Sequence, residues 1–170
     1  RKCSVHLLHG DMSDEEMHAL YKHNNINGFV CLSHGEGFGL PFFEAMYSEI
    51  PVVAVGWSGQ CDYLFDNDNN EMFYNVAFDL QPVPENAVWE NVIVKESMWS
   101  YAREESAKSQ MRACYNDILN NSGHVANVKQ YAKYLNDNFS PEIMYEKFTN
   151  CLFSEEQLEW DKTLSEVELV

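Results

Sequence analysis

A glycine-rich turn between two short apolar runs constrains the fold of this chain more than any other feature. Residues 28–32 and 51–55 have the length and residue types of buried β-strands. Between them lie the glycine turn, residues 35–39, and then Pro41, a residue suited to the start of a helix. The order strand, turn, helix, strand predicts a βαβ unit with the turn at the carboxyl end of its first strand.

The composition of the glycine turn indicates a ligand site. Its three glycines allow positive φ angles and let a ligand approach the backbone closely. A turn that ends on a helix N-terminus presents unpaired N–H groups, which attract phosphates and other anionic oxygens. Two carboxylates, Glu36 and Glu44, flank this region with seven residues between them. The glycines do not have the G-x-G-x-x-G spacing, so the dinucleotide fingerprint is not met.

Residues 36–45 resemble the E-x7-E signature of retaining GT-B-fold glycosyltransferases (group 1, family 4-like), written E-G-F-G-L-P-x-x-E-A. Every fixed position of that signature is present. Residues 5–11 and 51–54 resemble neighbouring strands of the family; the likeness is clear over residues 5–64 and looser onward to residue 153. The resemblance implies an α/β fold with a Rossmann-like parallel sheet and flanking helices, which forms the C-terminal, donor-binding domain of a two-domain enzyme.

The resemblance also implies an activity. Enzymes of this family transfer a hexose from a nucleotide diphosphate sugar to an acceptor, here unidentified, with retention of stereochemistry and without a metal or other cofactor. Glu36 is the expected catalytic residue, since the first glutamate of the motif accepts hydrogen bonds from sugar hydroxyls beside the anomeric centre. The second glutamate would accept from both ribose hydroxyls.

Further binding residues follow from the same resemblance. Amides of the glycine turn would contact the sugar and the distal phosphate and stabilise the charge on the departing diphosphate. The loop after the predicted strand at residues 5–8 would meet the nucleotide base. The implied substrate-binding residues are Gly10, Asp11, Met12, Gly37, Phe38, Gly39, Leu40 and Glu44.

The charge distribution limits the partners. The chain has 11 basic and 27 acidic residues, and the net charge of −16 disfavours nucleic acid. Residues 23–94 contain no Lys or Arg, so a diphosphate bound there would be held by backbone dipoles alone. In the resembled family an Arg and a Lys near the start of the domain clamp the diphosphate, and no residue here matches them.

The resemblance also implies a domain that is incomplete at its N-terminus. The family's domain normally opens with a strand and a helix upstream of anything that matches this chain. We therefore expect weak binding of nucleotide sugars and no transfer by the chain alone. The alternative is a non-catalytic truncated domain that forms a homodimer and retains weak nucleotide binding.

Other features favour a cytoplasmic protein with one folded domain. Five cysteines without a C-x-x-C pair are typical of reduced thiols in the cytosol, and no signal peptide or membrane span is evident. His6 and His9 lack a cluster of Cys, Asp or Glu at the spacing of metal ligands, so no metal site is expected. Two carboxylates can also serve a glycosidase as acid and base, but Glu44 lies on a helix where it is better placed to bind than to protonate.

The remaining elements are predicted from periodicity and capping residues. We expect a strand at residues 5–8, a helix at 14–22 that begins with a Ser13–Glu16 capping box, and one more strand at 73–78. Apolar residues recur at helical spacing from residue 107, which predicts three consecutive helices. These elements form one domain, residues 1–153, followed by an acidic tail or crossing helix, residues 154–170.

Overall fold

The computed structural model describes residues 3–153, and the predicted tail lies outside them. The chain alternates helices and short strands. The elements in order are α1 Asp14–Tyr21, β1 Phe29–Cys31, α2 Leu40–Tyr47, β2 Val52–Val55, α3 Cys61–Leu64, β3 Tyr74–Val76, β4 Phe78–Pro82, β5 Met98–Ala102, α4 Glu104–Asn120, α5 Val128–Phe139 and α6 Pro141–Leu152. Short 3-10 turns occur at Glu85–Ala87 and Val125–Asn127.

The three strands β1, β2 and β3 form a parallel sheet in that order. Phe29 pairs with Val52, and Val53 pairs with Tyr74. Because β1 and β2 are parallel and joined through α2, they form the βαβ unit that the sequence predicts. The α/β class with a parallel sheet is therefore confirmed.

Helices cover both faces of this sheet. Every residue of β2 is buried, as expected for a central parallel strand. On one face Val52 and Ala54 pack with side chains of α2, α3 and α5. On the other face Val53 and Val55 pack with α4. The resulting three-layer core fixes the carboxyl ends of the strands, where the glycine turn lies.

The capping residues Ser13 and Ser140 lie at the starts of α1 and α6. The Ser13 side chain accepts from the Glu16 N–H while the Glu16 carboxylate accepts from the Ser13 N–H, which confirms the capping box. Ser140 caps α6 through the Ile143 N–H. The three consecutive C-terminal helices are confirmed as α4, α5 and α6.

The predicted strand at residues 5–8 is wrong. This segment has no strand assignment, and Val5, Leu7 and Leu8 are 71%, 89% and 67% exposed. A β-strand needs a neighbour for its backbone hydrogen bonds, and none of the strands in residues 3–153 pairs with this segment. Its apolar alternation alone therefore does not make it a strand.

The further strand predicted at residues 73–78 is confirmed as β3, but it covers only Tyr74–Val76. The parallel strand β3 ends at Val76, and Phe78 begins β4, which pairs with β5 as an antiparallel hairpin. The chain leaves the sheet at Ala77, whose N–H donates to Ser106 Oγ and whose carbonyl accepts from the Arg103 N–H. These two bonds hold the start of the hairpin against the start of α4.

Candidate functional site

The glycine turn leaves the carboxyl end of β1 and ends at the N-terminus of α2. Gly39 is the N-cap of α2 and has a φ of 85°, in the left-handed region that glycine adopts without strain. A Cβ atom there would lie 3.0 Å from both Phe42 Cδ2 and Tyr63 Oη. Backbone conformation and lack of space therefore both require glycine at this position.

The backbone amides of the turn are available to a ligand. Within residues 3–153, no protein acceptor receives the N–H of Gly37, Phe38, Gly39 or Leu40. A Cβ atom on Gly37 would meet nothing within 4 Å, so this side of the turn is open. Free N–H groups on an open surface, at the positive end of a helix dipole, favour anionic oxygens.

A second loop, residues 56–60, fixes the backbone of the turn. The Gly59 N–H donates to the Glu36 carbonyl at 3.0 Å, and Ser58 Oγ donates to the same oxygen at 2.8 Å. A Cβ atom on Gly59 would lie only 1.9 Å from the Gly37 carbonyl oxygen. This loop follows β2, so it lies at the same edge of the sheet as the glycine turn.

Tyr63 of α3 holds the backbone of the turn by hydrogen bonds. Its buried hydroxyl donates its one proton to the Gly39 carbonyl at 2.5 Å, with the Phe38 carbonyl as a second, weaker acceptor at 3.0 Å. Burial and the nearby negative charge of Glu36 raise the pKa of Tyr63 above its usual value. The phenol therefore stays protonated and keeps its donor role at neutral pH. No motif marks this residue, and the sequence analysis missed it.

The two carboxylates occupy different surroundings. Glu36 is half-buried in the turn, close enough to Tyr63 to affect its ionisation. Glu44 is exposed and lines a cleft of about 260 Å³ between α1 and α2. In that cleft, burial and the charge of Glu44 raise the pKa of Tyr21 to about 12. The Tyr21 hydroxyl donates to the Pro41 carbonyl at 3.4 Å.

Glu36 does not line the cleft that contains Glu44. The two regions are nevertheless adjacent, because Glu44 lies four residues after Leu40, about 6 Å along the axis of α2. Residues four apart share a helix face, and Leu40 on that face is 61% exposed. The side chains of Leu40 and Glu44 therefore lie on one accessible face of α2, and the free amides lie at the start of the same helix.

The three residues predicted to meet the base come shortly before α1, which forms one wall of the cleft. Gly10 and Asp11 are exposed and Met12 is partly buried, directly before α1, whose residues line the cleft. No hydrogen bond within residues 3–153 joins these three residues to the glycine turn. None of the three lines that cleft, and their contact with the base stays a prediction.

The hairpin of β4 and β5 forms a further wall that the sequence analysis did not foresee. The Ser100 N–H donates to the His34 carbonyl at 2.9 Å, and Ser100 Oγ donates to the same oxygen at 3.0 Å. The His34 ring stacks on Trp99 at 5.0 Å between centroids and contacts Tyr101 at 4.4 Å. The hairpin therefore holds the residue just before the glycine turn.

Lysine is scarce around this site. Lys22 Nζ donates to the carbonyl of Ser48, a residue that lines the α1–α2 cleft, at 3.4 Å.

Residues 3–153 contain no cluster of three or more His, Cys, Asp or Glu side chains able to hold a metal ion. All five cysteines are free thiols. No helix in the described range is long and apolar enough to cross a membrane.

Comparison with known proteins found one family model that matches part of the chain. Residues 4–76 match the family model of Glycosyl transferases group 1. Neither curated proteins nor solved structures gave a match to this chain. The matched range ends at Val76, the last residue of the parallel sheet, so it excludes the hairpin. The glycine turn and both carboxylates therefore lie in a segment whose match supports a glycosyltransferase family of the GT-B type.

Proposed function

We propose that this chain supplies the donor-binding part of a retaining glycosyltransferase, which transfers a hexose from a nucleotide diphosphate sugar to an acceptor. The observation that carries the proposal is the row of unpaired amides at the start of α2, between Glu36 and Glu44. This arrangement offers donors for a diphosphate and acceptors for hydroxyl groups on either side. The family match of residues 4–76 supports the same activity.

Each group has a distinct role in this proposal. The distal phosphate binds the amides of the glycine turn, where the dipole of α2 stabilises the charge that develops on the leaving diphosphate. Glu44, one helical turn further on, accepts hydrogen bonds from the ribose hydroxyls. Glu36 accepts hydrogen bonds from the transferred sugar. Its carbonyl is fixed by Ser58 and Gly59, so the carboxylate starts from a restrained backbone.

The lack of cations predicts a weak complex. Lys or Arg would normally neutralise part of the diphosphate charge, but residues 23–94 contain neither. Within this range backbone dipoles must therefore carry the interaction against a net charge of −16. We expect this chain by itself to bind nucleotide sugars weakly and to transfer no sugar.

Binding is tested by NMR titration of the ¹⁵N-labelled chain with UDP-glucose, UDP-N-acetylglucosamine and GDP-mannose. We expect the amides of residues 37–40 to shift with at least one of these donors. Glu36→Gln and Glu44→Gln should each lower the affinity about tenfold or more, since a hydrogen bond to a charged group contributes about 1.5–3 kcal/mol. Glu146→Gln, on the exposed surface of α6, is the matched control and should leave the affinity unchanged.

Two results would contradict the proposal. One is that none of the three donors shifts the amides of the glycine turn at millimolar concentration. The other is that Glu36→Gln and Glu44→Gln bind the donor as tightly as the unmodified chain does. Tight, micromolar binding would instead refute the expectation of a weak complex, because dipoles without cations would then be sufficient.

A further inference from the structure

His34 is an exposed side chain that is nevertheless held in place from several directions. Its ring stacks on Trp99 with an interplanar angle of 7° and contacts Tyr101 at a centroid distance of 4.4 Å. Its Nδ1 lies 2.6 Å from the Ser100 carbonyl oxygen, and its own carbonyl accepts from the Ser100 N–H. Exposed histidines are usually free to change rotamer, whereas these contacts fix the ring.

The hydrogen bond to Ser100 determines where the ring carries its proton. A carbonyl oxygen can only accept, so Nδ1 must be the donor in this pair. In the neutral ring the lone pair is then on Nε2, which is therefore a hydrogen-bond acceptor. Within residues 3–153, Nε2 makes no hydrogen bond to the protein. The support from β5 thus leaves one acceptor atom available to a ligand.

The position of His34 relates this acceptor to the glycine turn. His34 is two residues before Glu36, so their Cα atoms are at most about 7 Å apart. The backbone of Glu36 is itself fixed by Ser58 and Gly59. Two acceptors on one restrained segment, Nε2 and the Glu36 carboxylate, are suited to a ligand that presents several hydroxyl groups.

We propose that His34 is a specificity-determining residue, whose Nε2 accepts a hydrogen bond from a hydroxyl of the transferred sugar. This inference rests on the proposed function, and it assigns the hairpin of β4 and β5 a role in sugar recognition. The ring is ordered before the ligand arrives, so binding costs little side-chain entropy. A sugar without a hydroxyl at the right place leaves the acceptor unpaired and is disfavoured.

The first experiment examines the tautomer. Long-range ¹H–¹⁵N correlation spectra of the ¹⁵N-labelled chain, recorded above pH 8, separate protonated from unprotonated ring nitrogens. We expect the Nδ1–H form for His34, and a smaller population of that form in Trp99→Ala, where the stack is lost. The Nε2–H form in the unmodified chain would overturn the inference, because Nδ1 would then not donate to Ser100.

The second experiment compares each nucleotide sugar with its nucleoside diphosphate: UDP-glucose and UDP-N-acetylglucosamine with UDP, and GDP-mannose with GDP. The Nε2 signal of His34 should shift with the sugar donor and not with the diphosphate. His34→Phe keeps an aromatic ring but has no acceptor. It should lower donor affinity about three- to tenfold and leave diphosphate affinity unchanged. His6→Phe, at an exposed position, is the matched control.

The outcomes separate this inference from the proposed function. If the amides of residues 37–40 shift while the His34 signal does not, the site binds donors and the role of His34 is refuted. If His34→Phe weakens binding of the diphosphate as much as binding of the nucleotide sugar, the residue supports the turn and does not recognise the sugar. If no signal responds to any donor, both the proposed function and this inference are wrong.

Discussion

The substitution Gly59→Ala is the sharpest test of how the glycine turn is held. The new Cβ atom would lie 1.9 Å from the Gly37 carbonyl oxygen, 2.6 Å from its carbonyl carbon and 2.9 Å from the Glu36 carbonyl oxygen. Carbon and carbonyl oxygen approach comfortably to about 3.3 Å, so the Gly37 oxygen must retreat by about 1.4 Å. Because these neighbours are backbone atoms, no side-chain rotation relieves the overlap.

The expected cost follows from two contributions. Forcing extra volume into a packed site costs about 1–3 kcal/mol. The displacement also strains the 3.0 Å hydrogen bond from the Gly59 N–H to Glu36, which contributes about 1 kcal/mol. A loss of about 2–4 kcal/mol in a chain of this size lowers Tm by roughly 5–15 °C.

Thermal unfolding followed by circular dichroism measures this shift, with Gly37→Ala as the matched control. The control adds the same methyl group where nothing lies within 4 Å, so its Tm should remain within about 2 °C of the original. It should nevertheless weaken donor binding, since the methyl group would stand on the open side of the turn. An unchanged Tm in Gly59→Ala would refute the close approach of the two loops.

Three further perturbations examine other parts of the fold. Tyr63→Phe removes the hydroxyl that donates to the Gly39 carbonyl and should lower the free energy of unfolding by about 1–3 kcal/mol in urea; a loss below 0.5 kcal/mol, on the order of a surface substitution, would exclude that support. Leu135→Ala should lower the free energy of unfolding by about 2–5 kcal/mol, because Leu135 of α5 is fully buried in the core that it shares with α2. A loss similar to that of a surface alanine would contradict this packing. Burial lowers the pKa of His124 below 6.5, so the unfolded chain binds the proton more strongly. Stability should therefore fall as the pH drops through and below 6.5, and His124→Phe should flatten this part of the unfolding profile; an identical profile would refute the assignment.

Local sequence signals predicted the part of the fold that depends on local interactions. The βαβ unit and the C-terminal helices are correct because capping residues and apolar spacing act within a few positions, as at Ser13 and Ser140. The hairpin was missed because its strands are joined by residues 83–97 and not by a tight turn. The segment 5–8 failed for the related reason that strand formation depends on a distant partner.

In the candidate site, too, features set by local sequence could be predicted, whereas contacts between distant residues could not. The glycine turn and its place between β1 and α2 could be predicted from the sequence, because glycine and proline restrict the backbone directly. Tyr63, Gly59 and Ser100, which hold the turn, could not be predicted, since they contact it only after the chain has folded. The assigned roles of Glu36 and Glu44 stay predictions until a donor is bound.

The anchoring of the glycine turn links its stability to residues far away in the sequence. His34 is bonded to a residue 66 positions later, and Phe38 to one 25 positions later. The hairpin thus adds to the support that Ser58, Gly59 and Tyr63 give the turn, and loss of the β5 contacts would free the backbone at His34. Any molecule that binds the turn should in exchange stabilise the hairpin, and deuterium uptake at the Ser100 amide would slow in its presence.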